Sequence, residues 1–196
     1  MNKEINIVLA GVGGQGTLVA GKLLGTIAVK MGWDIKVSEV HGMSQRGGRV
    51  ITYVRMGEKV YSPVIENGMA DFVLAFEELE ALRWAPLLAK DGTMIINRQQ
   101  IIPVTVKTGK ATYPDNIYEE LSRAGKSGTT IVEIEAEQLA RESGNVRSVN
   151  MVMIGAMSLF TKIPEQMWQE SITQVFSEKL QEINRVAFEK GKNVKV

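Results

Sequence analysis

The strand-like run Ile5-Asn6-Ile7-Val8-Leu9-Ala10 ends directly in Gly11-Val12-Gly13-Gly14-Gln15-Gly16. The run is rich in β-branched residues with no polar alternation, the pattern of a strand covered on both faces. After it, Leu18, Leu23, Leu24, Ile27, Ala28 and Met31 recur at helical spacing across residues 14–31, and Gly32 is a natural stop. Residues 34–39 read as a second short strand. Strand, glycine turn, helix and strand in that order predict a βαβ unit with parallel strands and a right-handed crossover.

The remaining pattern extends this α/β reading. Residues 49–56 alternate as a strand, with Gly57-Glu58 turning the chain toward Val60-Tyr61. Residues 71–76 read as a buried strand, 77–89 as a helix shortened by Pro86, and 93–97 as a further strand. Residues 101–114, with Val104, Val106 and Thr108 before Gly109, predict a hairpin laid outside the parallel core. Asp115 is placed to cap a helix running to residue 124. A strand at 129–134 and helices at 135–142, 149–160 and 164–190 follow. The expected fold is a Rossmann-like α/β sandwich, with a mainly parallel sheet and helices on both faces. Residues 1–196 form one domain on this reading, with no repeat or linker.

Composition narrows the function. The chain has 196 residues, with 23 Lys and Arg against 22 Asp and Glu. A domain of this size buries roughly 70% of its unfolded surface and needs no staple to fold. The near-zero net charge argues against nucleic acid as a partner. No cysteine is present, which removes disulfides, a thiol nucleophile and thiolate ligation of a cluster. No stretch approaches the roughly 18 apolar residues of a membrane span, and no signal-peptide pattern precedes residue 5, so the expectation is a cytoplasmic protein.

Two loops carry the candidate chemistry. Gly11, Gly13 and Gly16 make a G-x-G-x-x-G pattern in the strand-to-helix context that a phosphate site requires. Together with Gly14 and Gln15 they are candidate binding residues; the competing reading is close packing of strand on helix. Glu39, ending the second strand, sits where a ribose-binding carboxylate would, or is a solvated strand end. Beyond it, Ser44, Gln45, Arg46 and Gly47 belong to a donor-rich loop, with Arg46 able to fork onto phosphate or carboxylate or to pair with an acid such as Glu39. His41 is the only histidine, which disfavours a mononuclear metal site, and it reads as a loop residue with a satisfied ring rather than a base, since no evident pair of carboxylate and nucleophile accompanies it. No catalytic residue is assigned. Trp33, Trp84 and Trp168 read as packing residues. The nearly all-apolar stretch 149–160 is either central in the core or buried against a partner.

The glycine segment 11–16, then Glu39-Val40-His41-Gly42-Met43-Ser44-Gln45-Arg46-Gly47-Gly48, then Asn150-Met151 with Gly155-Ala156 come in the order seen in one family. The chain resembles the gamma-type subunits of 2-oxoacid:ferredoxin oxidoreductases, and among them the small, beta subunits of the indolepyruvate type, from about residue 3 to 188. That resemblance implies oxidative decarboxylation of a 2-oxoacid to an acyl-CoA with reduction of ferredoxin. It implies thiamine diphosphate and iron–sulfur clusters on a larger partner chain, none bound by this chain alone, and coenzyme A contact at a shared site. The chain alone is then inactive. A free-standing NAD(P)-dependent dehydrogenase using Gly11, Gly13, Gly16 and Glu39, and an assembly or regulatory subunit that binds no ligand, are the alternatives.

Overall fold

A computed structural model describes residues 4–42, 48–125 and 128–195. The chain begins with β1 (Glu4–Val12), α1 (Thr17–Lys30), β2 (Asp34–His41), β3 (Arg49–Gly57) and β4 (Ala70–Ala75). It continues with α2 (Glu78–Trp84), β5 (Leu88–Asn97), the single turn α3 (Val104–Lys107), α4 (Ile117–Ala124) and β6 (Thr130–Ile134). It closes with α5 (Ala136–Glu142), α6 (Val149–Ser158), α7 (Glu165–Val175) and α8 (Glu178–Lys192).

The strands form one sheet in the order β2-β3-β1-β4-β5-β6. β1, β4, β5 and β6 run parallel, whereas β3 is antiparallel to both β1 and β2. The sheet is therefore mainly parallel, as the sequence predicts, but the simple βαβ pairing is corrected. β2 does run in the direction of β1, yet β3 lies between them, pairing Leu9 with Thr52 and Thr52 with Glu39.

Both faces of β1 are covered, which explains its unbroken apolar run. Ile7 and Leu9 pack toward α1 and α6, while Val8 and Ala10 pack toward α2 and α4. α6 is the central helix of the first face, with every residue from Val149 to Met157 buried. Two glycines let α8 lie directly on it. A Cβ at Gly155 would stand 2.0 Å from the Phe188 carbonyl oxygen, and one at Gly191 would stand 1.9 Å from that of Val152. This resolves the two readings of α6 in favour of the core, so it is not a docking surface.

Three local expectations are corrected. The hairpin at 101–114 is instead an irregular connection holding α3, started at Pro103 and ended by Gly109 at φ 71°. No residue of α3 is buried, so its alternating β-branched pattern has no sheet to join. α4 is preceded by Asn116 rather than capped by Asp115. The long helix at 164–190 breaks at Phe176 and Ser177, both extended, because its halves have different neighbours: α7 packs on α1 and α8 on α6. Gln181 secures the break by donating to the carbonyls of Thr173 and Phe176 at 3.0 and 3.2 Å. Trp168 is buried against Phe188, their ring centroids 5.5 Å apart.

Candidate functional site

The carboxyl ends of β1, β4 and β5 meet at one edge of the sheet, where an open α/β fold keeps its ligand crevice. The turn from β1 to α1 runs along this edge. Gly11, still in the strand, is required by its own chain: an added Cβ would stand 2.6 Å from the Gln15 Oε1 and 3.1 Å from the Phe76 Cβ. Gly14 and Gly16 adopt φ of 103° and 79°, the left-handed region that favours glycine. Gly16 precedes α1 with no side-chain cap, and no acidic residue lies in the helix's first turn.

Gln15 is a strut. Its Oε1 accepts the Val12 N–H at 2.8 Å, and its Nε2 donates to the Phe76 carbonyl at 2.8 Å and to Gln99 Oε1 at 3.0 Å. One side chain thus joins the ends of three strands. The Gly13 N–H is likewise engaged, donating to the Gly48 carbonyl at 2.9 Å. Among the described residues, the N–H groups of Gly14, Gly16 and Thr17 have no protein acceptor. They are the donors left for an anion at the positive end of α1.

Glu39 is fixed on the α1 side of the sheet. It accepts hydrogen bonds from Thr52 at 2.8 Å and Thr17 at 3.4 Å, and the His41 Nε2 stands 2.7 Å from its Oε1. It is therefore neither a solvated strand end nor a free carboxylate, and it is the partner that the His41 ring finds at the end of β2. Because β3 separates β2 from β1, this is not the adjacent-strand arrangement of a dinucleotide ribose site. Ser44, Gln45, Arg46 and Gly47 lie outside the described residues.

Sequence reasoning missed the residues that complete this edge. Asn97 donates to the Phe76 carbonyl at 3.1 Å and to Gln99 at 3.2 Å, and it accepts the Ala136 N–H at 3.0 Å. Gln99 donates to Glu137 at 2.6 Å. Asn150, at the start of α6, donates to the Gly16 carbonyl at 3.2 Å. The polar run from Asn97 to Gln100 directly after an apolar strand was the available signal. The buried Glu77 binds the connection after β5 by accepting the Ile101 N–H at 3.1 Å and the Tyr113 hydroxyl at 2.6 Å. Burial, and then this carboxylate, push the Tyr113 phenol well above its ordinary range.

Among the described residues this edge presents free backbone donors suited to an anion and no nucleophile–base–acid set. Among the described residues no group of three or more His, Cys, Asp or Glu is placed to hold a metal. No helix among them is long and apolar enough to cross a membrane.

The family of pyruvate ferredoxin/flavodoxin oxidoreductases matches the chain over residues 6–194. The chain belongs to that family. It is 44% identical over 193 residues to the indolepyruvate oxidoreductase subunit IorB of Thermococcus kodakarensis, covering 96% of this chain and 95% of that protein. The crystal structure of a keto/oxoacid ferredoxin oxidoreductase gamma subunit from Geobacter sulfurreducens shares the fold, with a TM-score of 0.71, 19% identity and 95% of each chain covered. So does a 2-oxoglutarate:ferredoxin oxidoreductase from Magnetococcus marinus, solved with 2-oxoglutarate, coenzyme A and succinyl-CoA, at a TM-score of 0.74 and 23% identity. There the similarity spans 98% of this chain but 31% of the other. In this oxidoreductase family member, the glycine turn, the Gln15 strut and the Glu39 cluster make up the candidate site.

Proposed function

We propose that this chain is the small, gamma-type subunit of a cytoplasmic 2-oxoacid:ferredoxin oxidoreductase that acts on indolepyruvate or another aryl pyruvate, with residues 1–196 as its single domain. Near-full-length similarity to indolepyruvate oxidoreductase subunits is the observation that carries this reading. The reaction joins a 2-oxoacid to coenzyme A, releases carbon dioxide, and passes an electron pair to ferredoxin. Thiamine diphosphate supplies the electron sink for decarboxylation, and iron–sulfur clusters the single-electron relay. This chain's residues do not fit either group: it has no cysteine, and its described carboxylates and histidine form no metal cluster. Both groups therefore belong, in this proposal, to a larger partner subunit that also meets ferredoxin.

The role left to this chain is to bind and orient coenzyme A at the glycine turn. The N–H groups of Gly14, Gly16 and Thr17 receive phosphate oxygens, and the absent side chain at Gly14, where an added Cβ would meet nothing within 4 Å, leaves the approach open. Ser44, Gln45, Arg46 and Gly47 join the site through their place in the chain after β2, with Arg46 supplying formal charge. The engaged Glu39 and the intervening β3 favour this reading over an NAD(P)-dependent dehydrogenase.

The test is anaerobic methyl viologen reduction with indolepyruvate, coenzyme A and thiamine diphosphate, with this chain and the large subunit assayed separately and together. Turnover only on recombination is the expected result. Robust turnover by the small chain alone overturns the proposal, and a preference for pyruvate over aryl pyruvates overturns the substrate class.

A further inference from the structure

At the opposite edge of the sheet from the glycine turn lies a cavity of about 740 Å³. Its floor is a row of side chains on the α1 face, Ile5, Phe72, Thr93 and Thr130, with Phe72 paired to Thr93 and Thr93 to Thr130 in register. Trp33, after α1, and Phe160, after α6, form its walls. A volume of this order with apolar walls and a few polar groups is the usual setting of a small-molecule site.

Thr93 points to a ligand. It is only 6% exposed, lines the cavity, and makes no side-chain hydrogen bond to any described residue. A hydroxyl so buried takes its partner from whatever fills the cavity. The charges at the rim decide the sign of that partner. Glu4 is held by Arg55 at 2.6 Å. Asp71 accepts the Asn6 N–H at 2.8 Å, and burial pushes its carboxyl above the ordinary value. Asp91 lies beside Gly128 and has no cationic partner among the described residues. Lys90 and Lys162 likewise have no carboxylate partner among the described residues. Glu4 and Asp71 are engaged, so Asp91 alone stands against the two lysines, and the balance at the rim favours an anion.

We propose that this cavity binds an aromatic carboxylate. The ring lies against Trp33, Phe72 and Phe160; the carboxylate accepts from the Thr93 and Thr130 hydroxyls and faces Lys90 and Lys162. The binding is non-covalent and independent of the reading of the glycine turn.

Isothermal titration of the full chain with indole-3-acetate tests it, with acetate and indole-3-methanol as probes lacking the ring or the carboxylate. Saturable binding of indole-3-acetate is expected, about tenfold tighter than either truncated probe. Thr93→Val keeps the shape and should weaken binding about fivefold. Lys90→Ala with Lys162→Ala should weaken it about tenfold, while Glu39→Gln at the far edge leaves it unchanged. A second readout guards against a misfolded variant: in the wild-type chain the ligand should shift the indole N–H resonance of Trp33 and leave those of Trp84 and Trp168 in place. No saturable binding at millimolar indole-3-acetate, affinity unchanged in the cavity variants, or an unmoved Trp33 resonance each overturns the proposal.

Discussion

Gln15 and Gln99 stand 84 positions apart in the chain and 3.0 Å apart in space, Nε2 to Oε1. The contact closes the edge at which β1, β4 and β5 end, and it makes the glycine turn part of a rigid frame. Gln15 accepts from one strand end and donates to another, so its amide is fully used by the protein itself.

Removing that amide should therefore act on stability. Gln15→Leu leaves the Val12 N–H and the Phe76 carbonyl without this partner, and it is expected to cost about 1–3 kcal/mol by urea denaturation. Amide hydrogen exchange should rise at Val12.

The crossing of α6 and α8 should be still less tolerant. A methyl at Gly155 meets the Phe188 carbonyl oxygen at 2.0 Å and one at Gly191 meets that of Val152 at 1.9 Å, so the helices must separate. Gly155→Ala or Gly191→Ala is expected to destabilise by about 3 kcal/mol, read as a lowered melting temperature by circular dichroism. Gly14→Ala has open space and should cost less, chiefly the strain of φ 103°.

Asp71 gives a pH prediction of definite sign. Burial raises its carboxyl above the ordinary value of 3.8. The folded state then holds its proton to higher pH than the unfolded chain does. The resulting stabilisation is complete below 3.8 and is lost as pH rises through the folded value. Asp71→Asn removes this titration, so its stability relative to wild type should be greater at pH 7 than at pH 3, measured by denaturant melts across that range.

Glu39 separates two contributions. Glu39→Ala strands the fully buried Thr52 hydroxyl and should cost about 1–2 kcal/mol. Glu39→Gln keeps an acceptor for Thr52 and loses only the charge facing the exposed His41, which should cost less than about 1 kcal/mol. Equal losses in the two variants by urea denaturation would contradict this division.

Local chemistry was legible wherever neighbours in sequence settle it. The two-sided apolar run before Gly11 declared a buried strand, and the glycines after it declared a sharp entry into α1. Pro86 did shorten its helix, with a tight 3-10 turn at Ala85–Leu87 taking over before β5. The same local reasoning failed at 101–114, because alternation makes a strand only when a sheet edge and a covering layer are there to receive it. It failed at Phe176 and Ser177 because helical spacing continues across a break that only the separate seats of α7 and α8 impose.

The strand–glycine–helix unit, the α/β class and the absence of any thiolate for a cluster can be read along the chain without coordinates. Those properties rest on composition and on periods of a few residues. Long-range packing sets the rest: β3 lies between β1 and β2, α6 is core, and Gln15, Asn97, Gln99 and Asn150 together hold the glycine turn. The partners of Gln15 lie 61 and 84 residues away, and the Gly16 carbonyl is met by a side chain 134 residues on. Contacts at that separation form only when burial of the whole core repays the entropy of closing such loops, and no local pattern encodes which polar side chains will then face one another.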